Sequence, residues 1–122
     1  MYKIGEFSKK VNLSVDTLRY YEKEELIIPG RLSNNLSIYS EKDVRWIEFI
    51  KRLKSTGMSI NHIKEFSKLR YEGDRTIPQR MELLFDQRLK LENDKKKIDE
   101  HINFIDNKID TYKKMQEDNN SR

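Results

Sequence analysis

Asp16, Thr17, Arg19, Tyr20 and Lys23 fall inside one short stretch, residues 14–23 (SVDTLRYYEK). On a helix, neighbours at i, i+3 and i+4 share a face, so these five side chains lie outward while Leu18 turns in. The set offers an arginine fork, a hydroxyl, a phenol and an ammonium on one surface. Such a set suits recognition in a DNA groove, where an arginine matches base-edge acceptors and lysine or hydroxyl donors match phosphate oxygens; an ordinary surface helix with a polar face is the competing reading. Bond-making chemistry has no comparable set, because no convergent Ser/His/Asp group, metal site or phosphate loop is present. The absence of cysteine excludes disulfides and thiolate metal sites. His62 and His101 stand far apart with no ligands around either and read as helix-surface residues, so no metal or other cofactor is expected.

The stretch needs a scaffold, and the flanking residues supply one. Ser14 suits the N-cap, with Leu13 and Leu18 at the spacing of a hydrophobic staple. Before it, residues 4–11 read as a short helix with Ile4, Phe7 and Val11 inward, closed by Asn12 as a left-handed C′ residue. Two short helices separated by about three residues make a helix-turn-helix. The second is predicted to run to about Leu26, where Pro29 disfavours continuation. Residues 27–39 read as a small hairpin, a wing, turning at Ser33-Asn34-Asn35, with Leu36 to Tyr39 as a half-buried strand; an irregular loop is the competing reading. Ser40 and Asp43 cap a third helix with Val44, Ile47, Ile50 and Leu53 inward, widened by Trp46 and Phe49. Gly57 stops it. Ser59 caps a fourth, with Ile60, Ile63, Phe66 and Leu69 as its inner face.

After a linker at residues 71–75, Thr76 is predicted to cap the longest element, with Pro78 in its first turn and Gln79 closing the box. Helix to about Gln116 spans roughly 60 Å at ~1.5 Å per residue. Ile77, Leu84, Leu91, Ile98, Ile105 and Tyr112 recur every seven residues, and Met81, Arg88, Lys95, Ile102 and Ile109 form a second line offset by four. That is a coiled-coil seam. A narrow apolar stripe of this kind needs a partner helix, most simply from a second copy. Arg88 and Lys95 favour an antiparallel pair, since a parallel one would stack like charges. Phe85 and Leu89 broaden the stripe near its start. The domain reading is therefore residues 1–72 as the head, 76–116 as a dimerisation helix and 117–122 as a disordered tail.

Composition agrees with an elongated, charged protein: charged residues make up 38% of the chain and mean hydropathy is −0.93. The net charge of +4 lies entirely in residues 1–72, which hold 14 basic and 10 acidic residues. An excess on that side suits a phosphate-binding face. No signal peptide or membrane span is read, so a cytoplasmic, nucleoid-associated protein is expected, with no membrane partner.

Ile4-Gly5-Glu6, Leu18-Arg19-Tyr20-Tyr21-Glu22, Pro29 with Arg31, Tyr39-Ser40, and Gly57 followed by Ser59 resemble the MerR family of transcription regulators, in order and spacing from about Tyr2 to Leu69. The resemblance implies a mainly α, dimeric winged helix-turn-helix protein with an antiparallel coiled-coil dimerisation helix. It implies sequence-specific binding of a pseudo-palindromic promoter and distortion of the spacer between promoter elements when an effector binds, so that RNA polymerase engages both. Asp16, Thr17 and Arg19 match positions approaching bases or nearby phosphates, Tyr20 a phosphate-contacting tyrosine, and Arg31 and Tyr39 wing contacts. Tyr21 is expected inward. Lys54 and the capped start of the fourth helix make a further phosphate seat. Dimerisation falls to Leu84, Leu91, Ile98, Ile102, Ile105 and Ile109.

Two departures stand out: Glu25 replaces the family's usual glycine, suggesting a different end to the recognition helix, and Asn35-Leu36-Ser37 replaces a Gly-Tyr-Arg run. Either a small-molecule effector sits in an apolar pocket between the coiled coil and the DNA-binding domain of a second copy, or there is none. The family's metal and thiol sensing uses cysteines, and its larger drug-sensing members carry an extra C-terminal ligand domain, whereas only Thr111 to Arg122 remain here. Phe66, Tyr71 and Phe85 are candidates for an apolar effector pocket, with core packing the plainer reading. The rival functions are an architectural, excisionase-like DNA binder and a coiled-coil adaptor whose head binds protein.

Overall fold

The computed structural model of the chain describes residues 1–120. Its elements are α1 (Ile4–Val11), α2 (Val15–Lys23), β1 (Gly30–Arg31), β2 (Ser37–Ile38), α3 (Glu41–Ser55), α4 (Ile60–Glu72), a 3₁₀ turn (Asp74–Thr76) and α5 (Ile77–Asn120). Among the described residues no helix is long and apolar enough to cross a membrane.

The caps set the element boundaries. The Ser14 hydroxyl accepts the Thr17 N–H at 3.0 Å and opens α2. Ser40 and Asp43 form the reciprocal box at the start of α3, and Ser59 accepts the His62 N–H at 3.2 Å to open α4. Each satisfies an amide that the first helical turn cannot. Asn12 takes φ 55° and ends α1, as its position after Val11 predicts.

The recognition helix stops at Lys23, three residues short of Leu26. Glu25 adopts φ 59°, and its N–H and that of Leu26 bond back to Glu22 O at 3.0 Å and Tyr21 O at 2.8 Å. This is a Schellman closure with a glutamate at the left-handed position. The helix end is thus the one a glycine would give, rather than a different one.

The core gathers Phe7 and Val11 from α1, Leu18 and Tyr21 from α2, and Leu26 and Ile27 from the segment behind it. Trp46, Ile47, Ile50 and Leu53 come from α3, and Ile63 and Phe66 from α4. Truncating any one of these aliphatics to alanine costs about 2–5 kcal/mol. Trp46 is packing, and its indole N–H donates to Leu26 O at 2.7 Å, tying α3 to the end of the recognition helix. Ile60, expected inward on α4, is exposed because it occupies the helix's first position, ahead of the inward Ile63 and Phe66; Phe49 is also at the surface.

The wing is a two-stranded antiparallel ribbon pairing Gly30 with Ile38 and Arg31 with Ser37. Strand β2 is shorter than the Leu36–Tyr39 expectation: Leu36 lies just before it, its carbonyl accepting the Leu32 N–H at 2.9 Å, and Tyr39 pairs instead with Tyr2 in an isolated bridge. Asn35, at φ 65°, reverses the chain.

Thr76 does not cap α5. It is buried in the 3₁₀ turn, and its hydroxyl lies 2.6 Å from Leu69 O and 2.7 Å from Gly73 O. α5 itself continues past Gln116 to Asn120, since nothing after Pro78 breaks it. Residues 117–120, expected in a disordered tail, are therefore helical; the last two residues of that tail lie outside the described residues. Contacts divide the chain into a unit Met1–Phe85 and a second from Asp86 onward. The first takes in the opening turns of α5, because Arg80 donates to Gly73 O at 3.2 Å and Leu83 packs on the core.

Candidate nucleic-acid interface

The outer side of α2 carries Asp16, Arg19, Tyr20 and Lys23 in exposed positions, with Thr17 half-buried. Leu18 and Tyr21 are buried on the other side. The Ser14 hydroxyl that caps the helix also bonds the Thr17 hydroxyl at 2.8 Å, which fixes that side chain. Tyr20 is 46% exposed, available to a partner surface.

Asp16, Thr17 and Tyr20 share a cleft of about 430 Å³ with Lys54 and Ile60. Lys54, at the end of α3, therefore stands beside the recognition helix and near the start of α4. The amides and dipole of that helix terminus add to the lysine's attraction for an anion. On the other flank, Arg19 shares a groove of about 450 Å³ with Lys3, Arg31 and Leu36. Lys3 and Leu36 are absent from the sequence-based set. No local spacing links them to Arg19; only the folded wing brings them alongside.

Arg31 is held within the protein. Its Nη1 donates to Ser37 Oγ at 2.6 Å and lies 3.4 Å from Asn35 O, while Nη2 sits 3.7 Å from Glu22 Oε2. The guanidinium stiffens the wing and braces it against α2, and its side chain stays 51% exposed. Ser37 here gives Arg31 an acceptor.

Tyr39 is not a surface contact. It is fully buried, its ring stacked on Phe7 at 4.1 Å and 4°, and its hydroxyl donates to Glu22. Burial first, then the hydrogen bond to Glu22 and that carboxylate's charge, push its phenol well above the ordinary tyrosine range. The bridge to Tyr2, whose N–H and O bond Tyr39 at 2.7 and 2.8 Å, turns the expected wing contact inward. Tyr39 thus acts through Glu22, which receives both it and Arg31. Glu22 is absent from the sequence-based set; its two partners lie 17 and 9 positions away, beyond any helical period.

A second brace holds the end of α2. Lys64 of α4 bonds Glu24 at 2.7 Å. That hydrogen bond, reinforced by the charge of Lys64, lowers the Glu24 carboxyl from its ordinary value, and the same contact raises the lysine.

The seam residues Leu84, Leu91, Ile98, Ile102, Ile105 and Ile109 are all exposed on the single chain. Of the three candidates for an apolar effector pocket, Phe66 is in the core against Trp46, Tyr71 is in the last turn of α4 with its hydroxyl accepting the Ile28 N–H, and Phe85 is 61% exposed on the single chain.

Against known proteins, the sequence model described as MerR HTH family regulatory protein matches residues 2–69. The HTH-type transcriptional regulator AdhR of Bacillus subtilis is 42% identical over 72% of this chain, which spans 64% of that relative. The uncharacterized HTH-type transcriptional regulator YyaN, also of Bacillus subtilis, is 34% identical over 92% of this chain and 91% of its own length. Among solved structures, the crystal structure of HiNmlR, a MerR family regulator lacking the sensor domain, bound to promoter DNA, superposes with a TM-score of 0.73. It is 30% identical and the match covers 93% of this chain and 90% of that one. A transcriptional regulator of the MerR family from Bacillus thuringiensis matches at a TM-score of 0.68, with 32% identity over 88% of this chain and 96% of the other.

Proposed function

The chain belongs to the MerR family of helix-turn-helix regulatory proteins, and from that premise we propose that it binds a pseudo-palindromic promoter as a homodimer and regulates transcription there. The observation that carries this reading is the outward face of α2, where Asp16, Thr17, Arg19, Tyr20 and Lys23 stand together, flanked by Lys54 on one side and the wing on the other. Arg19 has no internal ion pair among the described residues and is the side chain free to read a base edge. Tyr20, Lys23 and Lys54 hold phosphates and fix the register. Arg31 contributes through the wing, which Glu22 and Tyr39 hold in place.

Dimerisation falls to α5. Leu84, Leu91, Ile98, Ile102, Ile105 and Ile109 pair with the same residues of a second copy running antiparallel, which keeps Arg88 and Lys95 of the two chains at different levels. Two heads at a fixed separation read two half-sites. In this reading the dimer bends and untwists the spacer between promoter elements, and RNA polymerase responds to the altered DNA. That HiNmlR is bound to promoter DNA supports promoter duplex as the ligand.

Selection of bound duplex from a random pool tests the proposal. The expected product is one two-fold symmetric site whose affinity falls steeply with salt. A tandem array of footprints would favour the architectural binder, and salt-insensitive or absent duplex binding the protein adaptor; either would sink the regulator reading.

A further inference from the structure

Away from the recognition helix, a cleft of about 400 Å³ opens between the start of α3, the end of α4 and the start of α5. Three cations line it: Lys42, Arg70 and Arg80. Two carboxylates line it as well, and both are poorly placed to neutralise them. Asp43 turns its Oδ2 back to the α3 cap, accepting the Ser40 N–H at 2.9 Å and the Ser40 hydroxyl at 3.2 Å. Asp74 has a side chain 98% exposed and reaches one Arg80 nitrogen at 3.8 Å.

The cations are positioned and only partly engaged: Arg80 meets the exposed Asp74, and Arg70 interacts with the Tyr71 hydroxyl. Lys42 and Arg70 have no ion pair among the described residues. Arg70 is fixed by its guanidinium lying 4.2 Å over the Trp46 ring and 5.1 Å from that of Tyr71. Arg80 donates from Nη2 to Gly73 O at 3.2 Å, while its buried Nε–H has no acceptor. Two guanidinium forks and an ammonium around one cleft match the oxygens of a carboxylate or phosphate group.

We propose that this cleft binds a small free oxyanion, a metabolite carrying a phosphate or carboxylate group, and that its occupancy is felt at the DNA-reading face. The route is short. Tyr71, the wall of the cleft beside Arg70, accepts the Ile28 N–H on its hydroxyl at 2.9 Å. Ile28 lies in the segment joining the recognition helix to the wing, so an anion that draws on Arg70 bears on the residue holding that segment. The second half of the proposal rests on the DNA-binding function proposed above; the first half does not.

The test starts with the full chain and inorganic phosphate, without DNA. Melting in phosphate is compared with melting in chloride at matched ionic strength. Phosphate at ~10 times its dissociation constant should raise the midpoint by roughly 5 °C, saturably. The gain should at least halve in Lys42→Gln, which alters an exposed side chain, and vanish when Arg70→Gln is added. No gain, or an equal gain in all three proteins, overturns the site. In the second arm, phosphate at constant ionic strength should shift wild-type affinity for the selected duplex several-fold, shift it less in Lys42→Gln and leave the double variant unmoved; no wild-type shift overturns the coupling. If Lys42→Gln instead lowers the salt slope of duplex binding by about 1, the cleft holds a backbone phosphate and the free-anion proposal falls. A chain that melts as expected but binds no duplex would sink the regulator reading and leave the anion site standing.

Discussion

Glu25 sits at φ 59°, where a residue with a Cβ costs about 1–2 kcal/mol relative to glycine. Glu25→Gly should therefore raise the stability of the head by ~1 kcal/mol, read as a higher denaturant midpoint with an unchanged slope; an unchanged midpoint would mean that the side chain recovers the strain through its surroundings. Arg19→Ala should cost ~1–3 kcal/mol of specific binding if the fork reads a base, measured on the selected site against a scrambled duplex. Equal loss on both would make Arg19 a phosphate contact. These residues differ in how well the sequence displays them. The position of Arg19 follows from helical period and one capping serine. Tyr39 does not, because alternation in a strand says which residues share a face but not which face is inward. Its partner Tyr2 lies 37 positions away.

The wing is short, and its stability comes from side chains outside it. Tyr39, Glu22 and Arg31 connect the root of the hairpin to the recognition helix. The raised Tyr39 phenol gives this brace a pH signature. A group whose folded pKa exceeds its unfolded value stabilises fully below the unfolded pKa and loses that contribution as pH rises toward the folded one. Stability should accordingly decline as pH climbs past 10, the ordinary tyrosine value. Tyr39→Phe keeps the stack on Phe7 and should show a smaller alkaline decline, followed by thermal melting across pH; an identical decline would assign it to other tyrosines. At this scale the helices and their starts were legible, since Ser14, Ser40 and Ser59 announce themselves ahead of apolar periodicity. The helix ends were less so. Glu25 carries no compositional sign of a left-handed turn, and Thr76 looks like a cap although it is consumed by the carbonyls of α4 and the linker.

For the molecule as a whole, the charge excess and the apolar seam occupy different parts of the chain: the basic head reads DNA in the proposed function, and α5 counts copies. Ile102→Asp should split the dimer and abolish binding to the symmetric site while the head still melts cooperatively. Sedimentation checks the first point, and a persisting dimer would discredit the seam. The heptad pattern is what points to a partner helix, because two apolar lines carried over so many turns stay exposed on the single chain. What the pattern did not show is how far the head extends into α5, since Arg80 and Leu83 are held by contacts with residues remote from the seam.

One practical consequence concerns the amino terminus. End residues are usually expendable, yet the second residue here is hydrogen-bonded through both its backbone groups to the foot of the hairpin. Clipping off residues 1–3, or seating a bulky purification tag directly against them, would remove one of the contacts that hold Tyr39 and loosen the foot of the hairpin. Fusions intended for binding assays belong at the other end of the chain.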